Sequence, residues 1–229
     1  MFISDLINGP LVRFSFICFF AGTLYQVLSF ITLSKTRDRH PARQQRAAPE
    51  RKKESDLLDR TSFAYRFAMF RLTVFGRYPV MMAVTIIFHL ALILTPLFLF
   101  GHNILLDVST GLHFPSLPES VTDSMTMTVL ACCLFFLFRR LFVKRVRAIT
   151  TFSDYMMLSI AGAPFLTGLL AYHHVGHYET MILAHMLSGE IMIMMLPFTK
   201  FIHMIYFFIN RFILINQNTL GKGGSRVWR

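Results

Sequence analysis

His185 and His203 stand eighteen residues apart in MILAHMLSGEIMIMMLPFTKFIHMIYFF, a segment apolar enough to lie inside a bilayer. At ~100° and ~1.5 Å per residue, eighteen steps bring a straight helix back to the same face about 27 Å further along. That is close to the ~30 Å thickness of a hydrocarbon core. One helical face then carries an imidazole near each side of the membrane. Ionisable groups at such depth are costly and tend to be functional. A pair of neutral imidazoles, one per leaflet, has the chemistry of axial ligands for two stacked haems.

The elements that must hold such residues follow from the apolar pattern. The chain is 54% hydrophobic, only 15% charged, and has a mean hydropathy of +0.52. Its length allows five spans, expected near 11–33, 79–101, 124–142, 153–171 and 181–209. The fold class expected is therefore all-α, a single integral membrane bundle of five transmembrane helices. The first run reads as a retained span, because Asp5 precedes it and no Lys or Arg comes before Arg13. The AGAPFLTGLLA stretch of the fourth span offers small residues for close helix approach.

The formal charge of +11 does not point to nucleic acid. Of 23 Lys and Arg, 21 fall in residues 34–77, 139–147 and 211–229, between or after the apolar runs. By the positive-inside rule this gives an outside N-terminus and a cytoplasmic C-terminus. The cytoplasmic basic loop 34–77 contains SFAYRFAMFRLTVFGR, where Phe63, Phe67, Phe70 and Val74 recur at helical steps among Arg66, Arg71 and Arg77. Two readings of it stand: an amphipathic helix on anionic lipid or on a partner subunit, and a simple surface helix.

With that topology the histidines pair by depth. His102 falls beside His185 on the outer side, and His89 beside His203 on the inner. Each pair can bind one haem iron between antiparallel helices. The spacing is imperfect, since His89 and His102 are about 19.5 Å apart on a straight helix against about 27 Å for the other two. His173, His174 or His177 of the loop YHHVGHYE could replace His102. His113 reads as an ordinary solvated histidine. A classical metal site is disfavoured, because no cysteine or carboxylate joins either pair.

Three further residues are candidates for quinone chemistry or a proton relay. Glu190 lies inside the fifth span and would be costly if unpaired. A hydrogen bond across helices, or to a haem edge, accounts for it equally well. Lys200 lies near the inner surface, where snorkelling or pairing with a haem propionate competes with a quinone role. His177 sits in the outer loop. Cys18, Cys132 and Cys133 lie in apolar runs and form no CxxC or CxxCH, so they read as packing residues. Two other function classes compete: a histidine-containing transporter, and a scaffold without cofactor. The first would need polar residues lining several spans, and the first, third and fourth spans carry almost none.

The five-span layout and its paired histidines resemble the gamma subunit of respiratory nitrate reductase. PFLTGLLAYHH and HMLSGEIMIMMLPFTKFIH are more closely similar to the small cytochrome b subunits of transmembrane redox complexes in sulfate-reducing bacteria, and to the membrane subunit of heterodisulfide reductase. The likeness covers most of residues 79–210, and residues 34–77 do not take part. It implies two non-covalent b haems on His89, His102, His185 and His203. It further implies electron transfer between menaquinone or periplasmic multihaem cytochromes c and a cytoplasmic iron–sulfur, heterodisulfide reductase-like subunit. Such a chain would work beside other membrane subunits and lipid in the bacterial inner membrane, in anaerobic sulfate respiration, without being catalytic alone. The thirteen-residue step from His89 to His102 departs from the nitrate reductase subunit, where it is shorter.

Overall fold

Away from water a chain satisfies its backbone polar groups internally, as helices or closed barrels. The computed structural model describes residues 6–37, 78–207 and 209. The regular structure among these is helical throughout, with no strand. The amphipathic segment expected at 63–77, most of the basic loop around it, and the basic tail lie outside the described residues.

A π-helical turn, Ile7–Leu11, leads into α1, Val12–Arg37. Next come α2, Pro79–Phe98, and α3, Phe100–Thr110, then α4, Glu119–Phe142, and the short α5, Lys144–Arg147. α6 is Phe152–Tyr172 and α7 is Tyr178–Met195. A 3-10 turn at Lys200–Ile202 then continues as helix to Phe207.

Four stretches, Gly9–Thr32, Pro79–Phe98, Glu119–Phe142 and Phe152–Tyr172, are long and apolar enough to cross a membrane. Tyr178–Met195 and Lys200–Phe207 make a fifth if this pair, bent by 68°, is one crossing. By the length and composition of its helices, the chain is a multi-pass membrane protein.

Local chemistry sets the helix ends. Pro79 occupies the first helical position of α2, where its missing N–H is not needed. Gly111 closes α3 in the left-handed region (φ 72°), its N–H reaching the Asp107 carbonyl at 2.8 Å. At the start of α6, Asp154 Oδ2 accepts from the Thr151 backbone N–H at 2.8 Å and from its hydroxyl at 2.9 Å, a capping box.

Two of the expected spans are not straight. Pro197 interrupts the helix between His185 and His203, so the two do not share one helical face. In the second span the chain turns at Leu99, whose extended backbone (ψ 127°) separates α2 from α3 just after Pro96. His102 therefore stands on α3, not on the helix of His89.

The neighbours run in the order α2, α4, α6, α7, α1. Phe88 and Ala91 of α2, Val129, Cys132 and Cys133 of α4, and Ala161 and Phe165 of α6 form the core. Both α4 cysteines are buried and free, in keeping with a packing role. α6 meets Cys133 at Gly162, where an added Cβ would stand 3.6 Å from the sulfur, an ordinary contact.

α1 runs parallel to the last span and braces its bend. The Gln26 amide donates to the Pro197 carbonyl at 3.0 Å, and the Tyr206 hydroxyl donates to Gln26 Oε1 at 2.9 Å. A Cβ on Gly22 would lie 2.7 Å from Pro197 Cγ and 2.8 Å from Phe198 Cζ. Gly22→Val should therefore destabilise the bundle by about 1–3 kcal/mol through overpacking. Unfolding of the detergent-solubilised protein measures this, and unchanged stability would mean that the contact yields freely.

Candidate functional site

The bends bring the four span histidines together in two pairs. The His102 and His185 rings lie 5.8 Å apart between centroids and are nearly parallel, at 16°. The His89 and His203 rings lie 5.9 Å apart at 86°. The pairing expected from depth is thus the pairing observed, although both helices reach it by breaking. The inner pair joins α2 to the helical piece after the Pro197 bend, and the outer pair joins α3 to α7.

All four imidazoles are fixed in the same way. Nδ1 of His89 meets the Thr85 carbonyl at 2.7 Å, that of His102 the Pro96 carbonyl at 3.1 Å, and that of His185 the Pro164 carbonyl at 2.8 Å. Nδ1 of His203 meets the carbonyl of Lys200. A carbonyl oxygen only accepts, so each Nδ1 carries the proton and donates it. In the neutral ring Nε2 is then left with its lone pair. That is the tautomer of a metal-ligating histidine whose other nitrogen is anchored by a backbone carbonyl.

Gly168 makes room for one of these rings. A Cβ there would stand 2.9 Å from His185 Nδ1 and 3.0 Å from its Cε1. On the same face of α6, Thr167 Oγ1 lies 3.3 Å from Ser188 Oγ. The ring of His185 thus lies directly against the α6 backbone, and any larger residue at 168 would displace it.

Among the described residues no three of His, Cys, Asp and Glu converge as metal ligands. Each site offers two imidazoles and no more. A zinc site takes three or four protein ligands. Two imidazoles with their Nε2 atoms uncommitted suit instead a metal whose remaining positions are filled by its own macrocycle. The donor set, the shared tautomer and the slot at Gly168 fit haem iron.

The other expected residues lie elsewhere. His173 Nε2 meets Asp123 Oδ1 at 3.1 Å in an exposed pair. His174 sits against Tyr178, and exposed His177 against the Thr180 hydroxyl at 3.4 Å. His113 is largely exposed and pairs with Asp107 at 3.1 Å. Lys200 Nζ meets Asp154 Oδ1 at 2.7 Å, with Arg140 at 3.7 Å from the same oxygen. Glu190 is buried, and neither carboxylate oxygen has a hydrogen-bond partner among the described residues.

The Lys200–Asp154 pair is exposed on the lysine side, where such pairs contribute about 0–1 kcal/mol. Asp154→Asn should accordingly change stability by less than about 1 kcal/mol, as read from unfolding of the detergent-solubilised protein, and a larger loss would show that the pair matters more than its exposure suggests.

No family model matches the chain, and no solved structure gives a significant match. A protein of Nitratidesulfovibrio vulgaris (strain Hildenborough) is 33% identical over 234 residues, which span 96% of this chain and 95% of that protein. The two chains belong to one family. The likeness between these family members runs along nearly their full lengths, so it takes in the bundle as a whole and not one motif. The name of the N. vulgaris member states no activity.

Sequence reasoning passed over the parts that set the rings. Gly168 lay unremarked within a small-residue stretch, and the Pro96 and Pro164 carbonyls have no side-chain signature. Pro197 was a visible signal, since proline inside a helical run breaks or kinks it.

Proposed function

We propose that this protein is a dihaem b-type cytochrome subunit of a respiratory redox complex. It passes electrons across the bacterial cytoplasmic membrane, between menaquinone or periplasmic multihaem cytochromes c and a cytoplasmic iron–sulfur subunit. The observation that carries the reading is the common state of four histidines, paired in twos, each with Nδ1 committed to a carbonyl and Nε2 left free. The family relative comes from a sulfate reducer, the setting in which such subunits work.

Haem supplies one-electron chemistry when bound. The chain's part is to hold axial nitrogens, fix their tautomer and exclude water. His102 and His185 would hold the outer haem, and His89 and His203 the inner one. Arg139, Arg140, Lys144, Arg145 and Arg147 cluster at one end of the bundle, with Glu119, Asp123 and Glu179 at the other. By the positive-inside rule we read the basic end as cytoplasmic, with the N-terminus outside and the C-terminus inside. There it offers cationic charge to an iron–sulfur partner and to anionic lipid. Of the three quinone candidates, Glu190 alone keeps a buried group with no partner.

The test is a reduced-minus-oxidised absorption spectrum of the purified protein, with a haem-to-protein ratio. A b-type signal near two haems per chain is expected. A colourless protein would overturn the reading and leave the scaffold or transporter.

A further inference from the structure

Among the described residues Glu190 is the only acidic side chain that is buried, at 5% exposure, and both its oxygens lack a hydrogen-bond partner. A buried ionised carboxylate with no donor and no cation is among the costliest arrangements in a protein. The packing of α1 indicates what lies opposite. Gly22 abuts Pro197 and Phe30 abuts Tyr206, so α1 and the last span advance in the same direction. Two turns back from Pro197 is Glu190, and two turns back from Gly22 is Ser15. Ser15 is fully buried, and its hydroxyl donates to its own Val12 carbonyl at 2.8 Å.

The titratable groups on the surrounding elements leave Glu190 without a buried counter-charge. On α1, Arg13 and Tyr25 are exposed and Cys18 is half-buried. On α6, Asp154 and Tyr155 stand in the first turn and Tyr172 is the last residue. On α7 itself, Tyr178 and Glu179 are exposed in the first turn, and His185 lies five residues before Glu190. That step is about 7.5 Å along the helix axis. His203 lies thirteen residues further on, beyond the 68° bend.

This inference rests on the dihaem reading. A ferric haem between two neutral imidazoles carries a net positive charge at its centre, which reduction removes. Inside a helix bundle such a charge couples to a buried acid far more strongly than in water. We propose that Glu190 is the proton partner of the outer haem site, an ionised counter-charge when that iron is ferric and a neutral acid when it is ferrous. The balance is one electron from a quinol or c-type haem donor to the iron, and one proton from water at the nearer face to the Glu190 carboxylate. Oxidation reverses both.

The experiment is a spectroelectrochemical titration of the haem-loaded protein at several pH values around neutrality, for wild type, Glu190→Gln and Glu190→Asp. In wild type one haem should shift its midpoint by up to about 59 mV for each tenfold change in proton concentration, and the other should not respond to Glu190. Glu190→Gln should flatten that dependence, and Glu190→Asp should restore part of it. A reduced-minus-oxidised infrared spectrum of wild type should show a protonated carboxylic C=O band that Glu190→Gln removes. Unchanged pH dependence in Glu190→Gln, or a wild type with neither the slope nor the band, would overturn the proposal while leaving the dihaem reading intact. Absence of haem would remove both.

Discussion

His185→Ala should cut haem content from about two per chain to about one, and His102→Ala should give the same spectrum as His185→Ala. Both remove a ligand from one pair, whose rings stand 5.8 Å apart. His89→Ala and His203→Ala should remove the other haem and again match each other. Metal-bound imidazoles are not replaced by water without large loss of affinity, so each single variant should leave one site intact. The pairwise agreement is what the geometry adds to a simple count. It separates this arrangement from one in which a loop histidine serves as the outer ligand. His173→Ala should leave both haems in place, because that ring is engaged with Asp123 on the surface. Difference spectra of the five variants decide the matter. Retention of two haems in His185→Ala would sink the assignment of the outer site.

The second large effect is expected at a residue with no side chain. Gly168→Leu should strip the outer haem selectively, although it removes no ligand. Even a single added carbon at 168 would stand 2.9 Å from His185 Nδ1, and three more have no space without moving the ring off the Pro164 carbonyl. Overpacking of this kind costs about 1–3 kcal/mol, occasionally more. Since about 1.4 kcal/mol is tenfold in an equilibrium constant, Gly168→Ala should weaken outer haem binding roughly 5- to 150-fold. Gly168→Leu should bring it below detection. Haem titration of the stripped protein measures the loss. Equal weakening at both sites would indicate a general disturbance of the bundle instead.

The histidine depths were legible in the sequence because apolar runs and basic loops fix the order and direction of spans, and direction fixes which residues share a level. That logic placed His102 with His185 and His89 with His203. It did not give the path between them. A straight helix through His185 and His203 was expected, but Pro197 bends the chain there by 68°. The awkward thirteen-residue step from His89 to His102 resolves in a similar way, because Leu99 begins a new helix and frees the direction of His102. Breaks of this sort depend on what packs against the bend. Gln26, some 170 residues away from Pro197 in sequence, is such a partner, and no local pattern announces it. The ring anchors were hidden for a related reason: three of the four carbonyls belong to residues whose side chains play no part.

The two ring pairs have a bearing on how the protein is made. In most bundles neighbouring helices are joined by interlocking apolar side chains, but here His89 of α2 meets His203 beyond the bend, and His102 of α3 meets His185 of α7, as pairs of imidazoles. On the proposed reading each haem is a keystone of the fold as well as a redox centre. A ligand present at a thousand times its dissociation constant stabilises the state that binds it by about 4.1 kcal/mol, a large fraction of the roughly 5–15 kcal/mol that holds a typical protein folded. Newly inserted chains would complete their assembly only as haem arrives. The amount of finished protein in the membrane would then follow the cell's haem supply, and chains left unfilled would be the ones offered to membrane proteases.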